Sequence, residues 1–329
     1  MDQTTADVAR PGARTERLPD FFIVGHPKCG TTALYEMLRS HPAIYMPDVK
    51  EPWYFASELR ERTPPRPQGT PSNLEEYGRL FSEAAPGQRI GEASPHYLWS
   101  HTAAQNIAAV CPQARIIALL REPASFLRSL HLQFLEVYYE VEPDLRRALT
   151  LEVERRRGQK VPRYTYWPQL LLYSEHVRYV EQLKRFHEAF GPERVLVLIY
   201  EEFRGDNEGT VRRVQRFLEV DDSQPIAVVQ ANPTVQARSQ VLNGLVHAVG
   251  VGRGPVSHAL KATLKAITPA GPRRRALYSL QQNLVFGSPK PADEELMHEL
   301  RIKYKGEVEA AGEYLGRDLL GLWGYDSLG

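Results

Sequence analysis

Cysteine is nearly absent from this chain. Of 329 residues only Cys29 and Cys111 are cysteine, too few for a disulfide framework and in keeping with a reducing compartment. Long apolar runs are missing as well. No stretch approaches the roughly 18 residues that a membrane-crossing helix needs, and the opening MDQTTADVARPGARTERLPD has no apolar centre of a signal-peptide kind. These two absences predict a soluble, cytoplasmic protein with no membrane span. Neither sign of charge is in surplus: 41 Lys and Arg against 40 Asp and Glu leave a net charge of +1. Bulk charge therefore gives no case for a nucleic-acid binder. The 10 histidines are scattered without metal-ligand spacing, so no metal is expected. There is no internal repeat and no linker.

What the chain does contain is an alternation of strand-like and helix-like segments. Buried strands are expected at DFFIVG, RIGEAS (89–94), ARIIALL (114–120) and RVLVLIYEEF (194–203). Between them, helical patterns run from Thr31 to Ser40, over TAAQNIAAV (102–110) and onward from Pro123, where a first helical turn tolerates proline. A further amphipathic helix is expected over SEHVRYVEQLKRFHEAFGP, capped by Ser174 and stopped at Gly191-Pro192, and a long one from Pro291 to about Leu315. The pattern predicts an α/β protein with a single domain, a central parallel sheet flanked by helices. Residues 1–18 read as a flexible tail and 19–329 as the domain. Three stretches interrupt the alternation: a proline-rich loop at 57–73, an insertion at 136–169 rich in tyrosine and charge, and an irregular stretch at 221–290 with Arg273-Arg274-Arg275. The last two are expected to form the acceptor site or a lid.

The stretch FFIVGHPKCGTTALYEML (21–38) carries the chemistry. A turn between a strand and a helix presents unpaired amides and the positive end of a helix dipole to an anion. Gly25 and Gly30 stand at the spacing of the triphosphatase loop G-x-x-x-x-G-K-[ST], but Lys28 precedes Gly30 by two residues and Thr31-Thr32 replace the Lys-[ST] pair. In triphosphatases that Ser/Thr holds a magnesium ion against a highly charged phosphoryl group. A sulfuryl group carries less charge, so one lysine with backbone amides suffices. The loop thus favours a sulfate ester or anhydride over a nucleoside triphosphate.

GHPKCGTTAL resembles the 5′-phosphosulfate loop of sulfotransferases that use 3′-phosphoadenosine 5′-phosphosulfate (PAPS). REPASFLRS, at the end of ARIIALL, matches that family's 3′-phosphate element, an arginine at a strand end (Arg121) and a serine eight residues later (Ser129). HPAIYMPDVKEPWYF (41–55) is similar to the K-E-x-x-F segment of the heparan-sulfate-type branch and its bacterial relatives. GEASPHYL (91–98) resembles that branch's G-E-K-[ST]-P-x-Y-[FL], with Ala93 where lysine is usual.

The resemblance implies a P-loop nucleotide-binding-like sulfotransferase fold and PAPS as cosubstrate, with no metal required. It assigns Lys28 to the leaving phosphate, and Lys28, Cys29, Gly30, Thr31, Thr32, Arg121 and Ser129 to the nucleotide. For the general base it offers Glu51, from K-E-x-x-F, and His96 as its rival, a histidine expected to titrate near neutrality. Glu92 is read as structural, and Cys29 as a small residue that fits the turn. The acceptor is expected to be a small hydroxylated metabolite, glycoside or lipid-like natural product, accepting on a hydroxyl before an amine. The alternatives are a P-loop-type small-molecule kinase or nucleotide hydrolase, and a non-catalytic nucleotide-binding protein.

Overall fold

The computed structural model describes residues 17–60, 70–163, 165, 167–229, 236–237, 286–287 and 289–328. At its centre lies a five-stranded sheet in the order β2-β3-β1-β4-β5. The strands are β1 (Phe21–Gly25), β2 (Ile44–Tyr45), β3 (Arg89–Ala93), β4 (Arg115–Leu120) and β5 (Val195–Ile199). Every neighbouring pair in it is parallel. All five residues of β1 are buried, as expected of a strand with helices on both faces, which must be apolar throughout and not merely at alternate positions.

Helices α1 (Thr31–Arg39), α2 (Ser57–Arg60), α3 (Leu74–Arg79) and α4 (Ala103–Val110) fall between β1 and β4. Between β4 and β5 come α5 (Pro123–Glu136), α6 (Leu145–Thr150), α7 (Glu152–Arg156), α8 (Tyr173–His176) and α9 (Tyr179–Phe190). After β5 follow α10 (Tyr200–Gly205), α11 (Asn207–Phe217), α12 (Glu294–Leu315) and α13 (Leu319–Trp323). Among the described residues of 221–290, Gln236–Ala237 pairs antiparallel with Phe286–Gly287. The rest of that stretch from residue 238 to 285, the arginine run included, lies outside the described residues. So do residues 1–16, residues 61–69 of the proline-rich loop, Tyr164 and Tyr166. No described helix is long and apolar enough to cross a membrane.

Several expectations need correction. The helix expected from Ser174 is two helices. It breaks at Val177-Arg178, and the Gln182 side chain donates to the carbonyls of Glu175 (2.8 Å) and His176 (3.3 Å), replacing the helical bonds lost there. Ser174 caps nothing; its hydroxyl donates to Glu152. The strand expected over 194–203 stops at Ile199 and turns straight into α10. The 57–73 loop opens with α2. The tail ends earlier than residue 18, because Arg17 donates to the carbonyls of Ala85 (2.7 Å) and Gln88 (2.8 Å).

The 136–169 stretch, read as an insertion, contributes to the buried interior. Its Arg155 and Glu140 form a fully buried ion pair at 2.7 Å. Glu140 accepts in addition from the amides of Val141 (2.9 Å) and Glu142 (3.0 Å) and from the Tyr173 hydroxyl (3.2 Å). A buried pair is costly to break because the surviving charge stays stranded away from water. Glu140→Ala should cost on the order of 3–5 kcal/mol, read as a lowered urea midpoint. Arg155→Met, which strands the carboxylate, should also lower the midpoint, and the double variant should lose less than the sum of the two; strictly additive losses would count against the pair.

Candidate active site

The carboxyl ends of β1, β3, β4 and β5 converge on one edge of the sheet, where open α/β folds bind ligands. Register sets their heights: Gly25 pairs with Leu119, Ile23 with Ala93 and Leu120 with Ile199. Between β1 and α1, residues 26–30 form a tight turn in which the Cys29 amide donates to the His26 carbonyl at 3.3 Å. Gly30 caps α1 at φ 87°. A Cβ there would press on the Phe203 and Tyr200 rings at 3.1–3.2 Å. Lys28 takes φ 67°, a left-handed conformation that costs a non-glycine residue about 1–3 kcal/mol and gathers at functional sites. Burial lowers the Lys28 pKa, Glu136 partly offsets this, and Arg121 lowers it further.

Arg121 leaves β4 and reaches back to this turn. Its Nη1 donates to the Lys28 carbonyl at 2.8 Å and its Nε to the Ser125 hydroxyl at 3.2 Å, while the guanidinium lies 4.6 Å from the Tyr200 ring centre. The Tyr179 hydroxyl donates to the Arg121 carbonyl at 2.6 Å. The structure therefore joins Lys28 and Arg121, 93 residues apart, through one hydrogen bond. Ser129 is buried on α5, one turn beyond Ser125 on the same face. Arg128 is a cation within electrostatic reach of Arg121. Sequence reasoning missed Ser125, Arg128 and Tyr200, and gave Tyr179 no role. Ser125 and Arg128 lie inside REPASFLRS at positions the resemblance does not mark, and Tyr179 and Tyr200 stand in none of the quoted motifs.

Glu51 approaches from the β2 side. Its amide donates to the Ala93 carbonyl at 3.1 Å, which fastens it to the end of β3. Glu51 and Trp53 also adopt left-handed conformations, at φ 60° and 50°. The Glu51 carboxylate, about a third exposed, forms an ion pair with Lys50. His96 follows β3 and is buried, its ring centre 5.8 Å from that of Trp53. Contrary to the expectation of near-neutral titration, burial pushes the His96 pKa down to about 4, against a raising influence of Glu51. Glu92 is buried and accepts from the hydroxyls of Tyr97 (2.9 Å) and Tyr77 (3.1 Å). Burial raises its pKa to about 7. Burial likewise pushes the Cys29 thiol up to about 12, consistent with a residue that fills the turn.

Behind the turn the structure gathers histidines that the sequence leaves scattered. His26 Nε2 meets Gln182 Oε1 at 2.7 Å, and its ring lies 5.7 Å from that of His176. Because the Gln182 amide nitrogen already donates to two carbonyls, its oxygen must accept here, so His26 carries its proton on Nε2. His176 Nε2 bonds the Leu170 carbonyl at 2.9 Å and is protonated for the same reason. Both Nδ1 atoms, with those of His96 and the indole nitrogens of Trp53 and Trp99, have no partner among the described residues. Polar atoms buried in this way are the usual berth of internal water. No group of three or more metal-binding side chains occurs among the described residues.

Comparison with known proteins places this geometry. A family model described as a sulfotransferase domain matches residues 18–236. The solved structure of a sulfotransferase from Alicyclobacillus acidocaldarius is similar with a TM-score of 0.57 and 30% identity, over 72% of this chain and 94% of that one. Carbohydrate sulfotransferase 15 of Mus musculus is 31% identical over 37% of this chain and 28% of its own length. Heparan sulfate glucosamine 3-O-sulfotransferase 3B1 of Mus musculus is 28% identical over 63% of this chain and 47% of its own. The chain thus spans less than half the length of these two curated relatives.

The buried histidines make stability depend on pH. Burial lowers the pKa of His26 and His96, and lowers that of His176 to about 3, from an ordinary 6.5. The unfolded chain therefore binds more protons than the folded one below that value, and stability is lost as pH falls. Glu92, raised from 4.5 to about 7, acts in the opposite sense with a single proton. The melting temperature should fall between about pH 7 and about pH 5, and Glu92→Gln, which removes the opposing group, should steepen the fall. A flat profile would contradict the burial of neutral imidazoles.

Proposed function

The chain belongs to the sulfotransferase family, and we propose that it transfers a sulfuryl group from PAPS to a hydroxyl of a small hydroxylated metabolite, glycoside or lipid-like natural product. The observation that carries this reading is the meeting of the Lys28 turn with Arg121 at 2.8 Å, which sets two anion-binding elements side by side. In this reading the amides from Cys29 to Thr32, at the N-terminal end of α1, hold the phosphosulfate. Arg121 and Ser129 anchor the 3′-phosphate, a group that the fork of a guanidinium suits. An acceptor hydroxyl attacks sulfur as its proton passes to a base. The bond from sulfur to the phosphate oxygen breaks, and Lys28 meets the charge that develops on the leaving phosphate.

Glu51 is the base in this proposal. His96 is buried and held near 4, which makes its imidazole a weak base at neutral pH. Two residues on from Glu51, Trp53 starts an aromatic cluster, edge to face with Trp167 at 5.3 Å, which in turn lies 5.9 Å from Tyr139, centre to centre. Flat apolar rings with polar edges suit a sugar or other hydroxylated ring. The names of the relatives, a carbohydrate and a heparan sulfate sulfotransferase, favour the glycoside among the acceptor classes. A cytoplasmic location belongs to the same proposal and rests on the sequence alone.

Sulfur-labelled PAPS, incubated with a panel of hydroxylated acceptors, tests the reading directly. Label should appear on an acceptor, and Lys28→Ala should cut turnover by about 10²-fold, the scale of one preorganised electrostatic donor. Glu51→Gln should cost about 10²-fold or more in kcat with PAPS affinity retained, and His96→Asn much less. Phosphate transfer from ATP with magnesium, and none of label from PAPS, would overturn the assignment. An inactive His96→Asn beside an active Glu51→Gln would move the base to histidine.

A further inference from the structure

Arg121 stands beside two carboxylates with which it forms no ion pair. Glu122, next in the chain, caps α5. Its oxygens accept from the amides of Ala124 (2.9 Å) and Ser125 (2.6 Å), and the Tyr325 hydroxyl donates to the same carboxylate. Glu201, on α10, accepts from the Glu122 amide at 3.3 Å and from the Trp323 indole nitrogen at 2.9 Å. It lies within electrostatic reach of Arg121. Both restraints come from the same short segment, α13 and the residue two places beyond it.

That segment is itself held firmly. Gly316 ends α12 in a left-handed conformation, and the Arg317 amide donates back to the Gly312 carbonyl at 2.9 Å. Arg317 pairs with Glu202, and the Asp318 carboxylate caps α13 by accepting from the Gly321 amide at 2.8 Å. Trp323 and Tyr325 are buried. The indole is thus fixed beside α10 by contacts separate from the carboxylate it binds.

We propose that Trp323 is a positioning residue, whose indole N–H holds the Glu201 carboxylate away from Arg121 so that the guanidinium stays open to a phosphate dianion. Tyr325 holds Glu122 in the same way, against Arg121 on one side and Arg301, whose Nε lies 3.9 Å from the same carboxylate oxygen, on the other. A half-buried carboxylate that loses its donor turns to the nearest cation, and an arginine-carboxylate fork uses the very N–H groups that a phosphate needs. The proposal rests on the reading that Arg121 binds the 3′-phosphate.

Calorimetric titration of the full chain with 3′-phosphoadenosine 5′-phosphate and with AMP separates the two ideas. Trp323→Phe keeps the ring and removes the donor. It should weaken the bisphosphate about tenfold, the worth of one charge-assisted hydrogen bond, while leaving AMP within about twofold. Adding Glu201→Gln to that variant should restore the bisphosphate affinity, because a neutral amide no longer competes for Arg121. Tyr325→Phe, which removes one oxygen atom, should move the same ratio by about threefold, since two amides still hold Glu122. Loss of both nucleotides alike without rescue, or an unchanged ratio in both single variants, would overturn the proposal. Arg121→Ala is the control. If it leaves the ratio of the two affinities intact, the 3′-phosphate reading itself falls; if it collapses the ratio while Trp323→Phe does not, only the role of Trp323 falls.

Discussion

Much of this molecule follows from one close approach, that of Gly25 to Leu119. A Cβ at Gly25 would meet the Leu119 carbonyl oxygen at 2.8 Å and its amide nitrogen at 3.1 Å, so only glycine lets β1 lie against β4 in this register. The register in turn decides what meets at the sheet edge. With Gly25 opposite Leu119, the turn bearing Lys28 leaves β1 at the height where Arg121 leaves β4. A slip of one residue would press a side chain into the Leu119 backbone in place of Gly25 and carry Arg121 out of reach of the Lys28 carbonyl.

Around that contact the structure holds backbone and charge in states that an isolated peptide would not adopt. Lys28, Glu51 and Trp53 all take left-handed conformations, and each is fastened by something distant. The Lys28 carbonyl accepts from Arg121, the Glu51 amide donates to Ala93, and the Trp53 amide donates to the Ser94 hydroxyl at 3.3 Å. Strain of this kind persists only where the surroundings over-determine it. The charges are treated in the same way. Lysine and arginine converge on one small volume, and the nearby acids Glu122 and Glu201 are occupied by amides, Tyr325 and Trp323. Two of the acids beside Arg121 are thus engaged by other donors.

Burial explains why His96, the rival, differs physically from Glu51, the base that the resemblance favours. His96 sits in a short turn against Trp53, where a charged imidazole would be poorly solvated. Glu51 stays partly open to water with Lys50 beside it. The same effect keeps His26 and His176 neutral behind the turn, and the Gln182 bridge that breaks the expected long helix also fixes the proton on His26. The irregularity at Val177-Arg178 is thereby coupled to the anion turn through a single side chain.

The sequence by itself determined whatever depends on local pattern. Continuous apolar runs such as FFIVG and ARIIALL can be buried only in a covered parallel sheet, and they appear as β1 and β4 within a residue of expectation. Gly25, Lys28 and Gly30 mark the turn between β1 and α1, because spacing along a chain is enough to specify a strand-turn-helix. Glu140-Arg155, Gln182 with His26, Ser125 with Arg121, and Trp323 with Glu201 left no such trace. Three of the four join separate elements that share no motif, and the fourth, Ser125 with Arg121, lies inside REPASFLRS at a position the resemblance does not mark. Side-chain hydrogen bonds of that kind depend on the packing of whole elements rather than on local preference. Only the tertiary structure, by setting the heights of four strand ends on one edge, decided which donors and acceptors would meet there.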